Sequence, residues 1–180
     1  ESPEPRGGAL VLLHHMDVVP PGPGWNREPL GAEIAEGSLW GRGAIDAKSL
    51  GIAQLAAFLD LAESPESLSR DVVFLAVADE ERGGKRGTGW LLDHHFELFA
   101  DVEAVLNEGG ANRTLPSGHR WWGVEVAQKR PLWLRARAWG RSGHGATLNL
   151  HTASHRLIRG LARIVDRPLE FRATEEAIRY

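Results

Sequence analysis

The 180-residue sequence predicts an α/β fold, a sheet with flanking crossover helices, followed from about residue 131 by the start of an α+β segment. Three observations predict it. Short continuous apolar runs at 9–13, 72–78 and 102–106 alternate with helical patterns, the order expected of buried parallel strands joined by crossovers. Each run leads into polar, mostly acidic residues: His15 and Asp17, then Asp79-Glu80-Glu81, then Asn107-Glu108. Open α/β sheets bind ligands at the carboxyl ends of their strands, so these groups are expected along one edge. Beyond Pro116 the texture changes to an alternation of period two.

Ala9-Leu10-Val11-Leu12-Leu13 reads as a strand buried on both faces. Pro20-Pro21-Gly22-Pro23-Gly24 makes a stiff loop, and Ser38-Leu39-Trp40 a short strand before Gly41. Across 46–62, Leu50, Ala53, Leu55, Ala56, Phe58 and Leu59 recur at helical spacing until Ser64-Pro65 ends the pattern, a helix of about four turns. The run 72–78 is a second buried strand. Gly83, Gly84, Gly87 and Gly89 then turn the chain into a helix over 90–99, and 102–106 is a third strand. Val124-Glu125-Val126-Ala127 and the stretch 132–139 read as half-solvated antiparallel strands, with a helix over 149–165. The expected division is residues 1–130 and the beginning of a second domain at 131–180.

Composition narrows the function classes. Charge is mixed along the chain and sums to −3, without the basic stripe that tracks phosphates, so nucleic acid is not an expected partner. With no cysteine, disulfides, thiolate zinc sites and cysteine nucleophiles drop out, and any metal must sit on His, Asp and Glu. No apolar run approaches the roughly 20 residues that span a bilayer, and Glu1-Ser2-Pro3-Glu4-Pro5 is not a signal peptide. A soluble protein with no membrane partner is expected; the compartment stays open, with the cytoplasm favoured.

His15 and Asp17, two apart on an extended backbone, point to the same side, so one could ligate a metal while the other orients the ring; an ordinary loop histidine would look the same. His14 faces the other way and is expected to be structural. Asp46 follows two glycines and opens a helix, as a ligand or simply as an N-cap. Glu80 and Glu81 are adjacent carboxylates at a strand end, unfavourable unless a cation or a shared proton separates them. Glu108 adds a further acidic strand end, and metal neutralisation accounts for the cluster. Ser142-Gly143-His144-Gly145 presents an imidazole between glycines, as a tight turn also would. The stretch 84–89 lacks the residue order of a phosphate loop, and His151 and His155 read as surface histidines.

In order and spacing, His15-x-Asp17-Val-Val-Pro, Gly41-Arg-Gly-Ala-x-Asp46-x-Lys48, Asp79-Glu80-Glu81, Asn107-Glu108-Gly-Gly and Ser142-Gly-His144 resemble the zinc aminoacylase, carboxypeptidase and dipeptidase family, over about residues 9–165. Acetylornithine deacetylase, succinyl-diaminopimelate desuccinylase, glutamate carboxypeptidase and carboxypeptidase S belong to it. The resemblance implies a phosphorylase/hydrolase-like catalytic sheet, the start of a lid or dimerisation domain, and a hydrolase acting on a dipeptide or an N-acyl amino acid. It implies two zinc ions, with cobalt or manganese as substitutes: Asp46 bridging them, His15 and Glu108 completing one, Glu81 serving the other. Glu80 would be the general base, Asp17 would hold the His15 ring, and the Asp46-Ala47 peptide bond would be cis. His144 would reach the partner's active site in a homodimer and stabilise the oxyanion.

Two departures from the family pattern qualify this expectation. Ser49 stands where glycine is usual, and the late histidine that completes the Glu81 metal has no counterpart by motif before Tyr180. The alternative is therefore a catalytically incomplete metal-binding or dimerisation fragment of such an enzyme. A carboxylate-rich magnesium or calcium protein is a third reading, in which His15 would play no part.

Overall fold

A computed structural model describes residues 1–126, 128, 132–168, 173 and 175. The chain divides into two compact units, Glu1–Gly123 and Val124–Tyr180.

The first unit is organised by a three-stranded parallel sheet in the order β4-β1-β5, where β1 is Ala9–His15, β4 Val72–Val77 and β5 Val102–Leu106. All three fall on the expected apolar runs. β1 pairs with β4 from Leu10↔Val72 to His15↔Val77, and with β5 from Ala9↔Val102 to Leu12↔Leu106. Flanked on both sides, β1 is the strand the core forms around: Ala9, Val11, Leu12, His14 and His15 are all buried. The expectation of a fully buried second strand is corrected. In β4 only Val77 is buried, because among the described residues β4 has a strand neighbour on one side alone, and β5 on the opposite edge is more exposed still.

Helix α1 (Leu50–Ala62) crosses the sheet. Periodicity locates the helix but misplaces its packed face: Ala53, Ala56 and Leu59 are exposed, and the fully buried positions are Gly51 and Gln54. Close approach explains Gly51, since a Cβ there would lie 2.5 Å from His14 Cδ2. His14 in turn packs against Phe74 with the rings tilted (5.0 Å between centroids), and Phe74 meets Phe58 of α1 at 5.8 Å, which is the structural role expected of His14. The second helix is shorter than its pattern: α2 spans Thr88–His94, and a turn of tighter helix, Phe96–Phe99, follows a break at His95 (φ −139°, ψ 40°).

Two hairpins complete this unit. β2 (Glu33–Ala35) pairs with β3 (Ser38–Trp40) across a two-residue turn, Glu36-Gly37, whose φ angles are both positive (55° and 73°), the geometry that matches strand twist. Only β3 was expected. β6 (Asn112–Thr114) and β7 (Arg120–Trp122) form the other, which places Trp121 and Trp122 on a strand.

In the second unit the expected strands at 124–127 and 132–139 are not formed among the described residues, and Ala127 lies outside them. A strand persists only when a neighbour takes its backbone hydrogen bonds, and no such neighbour exists among the described residues of this unit. The expected helix is present as α3, Ala153–Val165. It starts late because Thr152 caps it, Oγ1 accepting from His155 N, while Asn149 Oδ1 accepts from His151 N in the preceding turn. His151 therefore precedes the helix that carries His155.

Candidate metal centre

The backbone leaves β1 at His15 and enters a segment pinned to the turn that follows β3. Lys48 Nζ donates to Met16 O (2.6 Å), and Arg42 Nη2 donates to Pro21 O (3.1 Å). Gly43 (φ 87°) must be glycine here, since a Cβ would fall 2.6 Å from Val18 Cγ1. The turn Ala44–Ser49 carries Asp46 in a non-helical conformation (φ −112°, ψ 96°), and the Asp46-Ala47 peptide bond is cis. Asp46 is thus not the N-cap of α1, whose capping position is Ser49. Its Oδ1 lies 2.9 Å from His15 Nε2.

Two further strand ends converge on the same imidazole nitrogen. Glu108 Oε2, after β5, is 3.3 Å from His15 Nε2, and Glu80 Oε2, after β4, is 3.9 Å away. Glu81 completes a second set: the donor atoms of His15, Asp46 and Glu81 lie within 4.8 Å of one another, as do those of His15, Glu80 and Glu108. Glu81 Oε1 also accepts from Val19 N (3.2 Å). Asp17 joins the arms. Its backbone O lies 2.9 Å from His15 Nδ1, while its carboxylate accepts from Glu80 N (3.2 Å) and Glu81 N (3.3 Å). Asp17 holds the ring through its main chain, with its carboxylate 3.6 Å from Nδ1.

A carbonyl can only accept, so Nδ1 carries a hydrogen. In the neutral ring the Nε2 lone pair would then face the oxygens of Asp46 and Glu108, two acceptors, with nothing between them. Either a proton or a cation has to fill that position. Without a metal it is the proton: burial by itself works against a charged His15, but the Asp46 hydrogen bond, the Asp17 carbonyl and the charges of Glu108 and Glu80 outweigh it and raise its pKa above the usual 6.5. Glu80 is raised above 4.5, first by burial and then by Glu108, Glu81 and Asp17, with only His15 opposing. One imidazole nitrogen and several carboxylate oxygens form a donor set suited to zinc, cobalt or manganese. Magnesium and calcium prefer all-oxygen ligand sets, so the buried imidazole favours zinc, cobalt or manganese.

The structure brings His15, Asp17, Asp46, Glu80, Glu81 and Glu108 together. His144 belongs to the second unit, on an exposed turn where its Nδ1 accepts from Ala146 N (3.2 Å). Sequence reading missed the supporting groups Lys48, Arg42 and Gln54. Lys48 and Arg42 stood inside the quoted glycine-rich motif and signalled only as members of it. Gln54 is a polar residue on an apolar pattern, a signal that periodicity discards.

The carboxyl ends of a parallel sheet's strands, with the turn after β3, gather one buried imidazole and four carboxylates, a candidate metal centre on an α/β fold. Residues 11–177 match peptidase family M20/M25/M40, and the chain belongs to that family. It is 46% identical over 144 residues to a succinyl-diaminopimelate desuccinylase of Wolinella succinogenes, covering 78% of this chain and 36% of that protein. To the aminoacylase-1 of Sus scrofa it is 29% identical over 177 residues, 96% of this chain and 40% of the relative. A succinyl-diaminopimelate desuccinylase of Paracoccus denitrificans is 32% identical over 163 residues, 87% of this chain and 41% of the relative. The chain thus spans about two fifths of the length of these relatives.

Proposed function

We propose that the protein is a metal-dependent hydrolase that cleaves the amide bond of a dipeptide or an N-acyl amino acid. The observation that carries this reading is the His15 nitrogen facing Asp46 at 2.9 Å and Glu108 at 3.3 Å, a gap that only a proton or a cation can occupy. The family and the names of the relatives, a desuccinylase and an aminoacylase, support the reaction class. Two zinc ions are proposed, Asp46 bridging them, His15 and Glu108 on one and Glu81 on the other. When bound, such a pair polarises the amide carbonyl and acidifies a water molecule.

The chain's own residues do the rest. Glu80, whose carboxyl is held above the usual range, is the general base: it takes the proton of the attacking water as oxygen bonds to the amide carbon. The carbon–nitrogen bond then breaks, and Glu80 returns the proton to the leaving amine. Asp17 keeps Glu80 and the His15 ring in register by bonding to both segments. His144 is assigned the oxyanion, contributed across a homodimer, with residues 131–180 as the start of the lid or dimerisation domain. Among the described residues no helix is long and apolar enough to cross a membrane, and the cytoplasm is proposed as the site of action.

The test is hydrolysis by the zinc-loaded chain of a panel of N-acetyl and N-succinyl amino acids and dipeptides, with Glu80→Gln beside it. Release of amine by the parent chain and its loss in Glu80→Gln, at unchanged zinc content, is the expected result. Equal turnover in both would overturn the assignment. Zinc uptake with no turnover on any substrate would favour the incomplete metal-binding fragment.

A further inference from the structure

One buried side chain that bonds to neither His15 nor Glu108 spans the strands that carry them. Gln54 comes from α1, is 8% exposed, and its Nε2 donates to Leu13 O (3.1 Å) and to Leu106 O (3.2 Å). The register between β1 and β5 ends at Leu12↔Leu106, so the amide bridges the two strands where their ladder stops. Each accepting carbonyl lies two residues before a site residue: Leu13 before His15, and Leu106 before Glu108.

An amide nitrogen has two hydrogens, and both are used here. The acceptors also settle which end of the amide faces the seam, because Oε1 in that place would set three acceptors against one another. Oε1 is instead buried with no hydrogen-bond partner among the described residues. That is a cost an apolar residue would avoid, and what Gln54 supplies against it is the bridge between strands. Gly51, three residues before on the same helix face, brings α1 close against His14 and so fixes where the amide lies.

We propose that Gln54 is a positioning residue. It sets the gap between the carboxyl ends of β1 and β5, and through it the 3.3 Å separation of His15 Nε2 and Glu108 Oε2, an inference that rests on the metal-centre reading above. The amide makes one half of the centre stiff before any metal arrives, while Asp46 and Glu81 approach from segments it does not touch.

The experiment uses the full chain with cobalt(II) as the probe, comparing Gln54→Met with Phe58→Leu, which loosens the same helix without reaching the seam. Gln54→Met is expected to weaken cobalt(II) binding by about tenfold or more, to change the visible absorption of the bound ion, and to move the His15 ring nitrogen resonances of the metal-free protein. Phe58→Leu is expected to lower the melting temperature and leave all three unchanged. If both variants only melt earlier, Gln54 is a packing residue and the proposal falls. If the parent chain takes up no cobalt(II), the metal-centre reading fails instead, and the His15 resonances alone decide: movement in Gln54→Met only supports positioning, and no movement overturns it. Gln54→Leu carries the same comparison should Gln54→Met not fold.

Discussion

His15 stands at the end of the central strand with its side chain 1% exposed, whereas Asp46, Glu80 and Glu108 leave loops after three different elements and are 64%, 45% and 37% exposed. The imidazole arm is fixed by the sheet: β1 is paired on both sides, α1 covers His14, and the Asp17 carbonyl fixes the ring's rotation. The carboxylate arms have fewer fixed contacts: Asp46 and Glu108 meet the His15 ring, the Asp17 carboxylate holds the backbone of Glu80 and Glu81, Glu81 accepts from Val19 N, and the charges of Glu108, Glu81 and Asp17 work against that of Glu80. The contrast separates two duties. A rigid nitrogen sets the position of the centre, and solvent-accessible oxygens close around whatever cation arrives.

Changes on the carboxylate side should alter chemistry with little effect on folding, and changes on the imidazole side should do the reverse. The largest expected effect is on the open side. Glu80→Gln should lower turnover by about 10²–10⁴-fold, the usual contribution of a general base, while zinc content and melting temperature stay as in the parent chain; elemental analysis beside steady-state kinetics checks it. Next, Asp46→Ala should remove both zinc ions together and Glu81→Ala only one, read by equilibrium dialysis. Independent loss of the ions in Asp46→Ala would break the bridging assignment.

On the closed side, Gly51→Ala places a Cβ 2.5 Å from His14 Cδ2 and should destabilise the metal-free fold by about 1–3 kcal/mol, the range for overpacking. Denaturant titration reads this, and zinc stoichiometry at saturating metal should be unchanged. The smallest effect couples the two sides. Glu80 and His15 both bind protons more tightly when the protein is folded, so metal-free stability should decline as pH rises, from 4.5 through the raised pKa of Glu80 and from 6.5 through that of His15. Saturating zinc, by taking the place of the His15 proton, should remove the decline above pH 6.5; a metal-free stability that rises over that range would contradict the electrostatic account.

Legibility in the sequence followed the same division. The acidic strand ends and His15 could be read because each closes an apolar run, and such runs survive as patterns without any knowledge of neighbours. The packed face of α1 could not, since it consists of Gly51 and Gln54, chosen by a close approach and by two carbonyls far off in sequence. β2 was missed because three residues, Glu33-Ile34-Ala35, are too few for an alternation to register, although the Glu36-Gly37 turn marks the hairpin. The strands expected at 124–139 had the alternation and lacked a partner among the described residues.

By itself, then, the sequence determined which residue types gather at the strand ends and that a parallel α/β sheet presents them, because apolar runs and acidic termini are local chemistry. Only tertiary structure decided that His15 Nε2 faces Asp46 and Glu108, that Asp17 works through its carbonyl on one arm and its carboxylate on the other, and that Gln54 spans β1 and β5. The physical reason is that a hydrogen bond depends on distances of about 3 Å between groups dozens of residues apart, and those distances exist only once the sheet and its helix are packed.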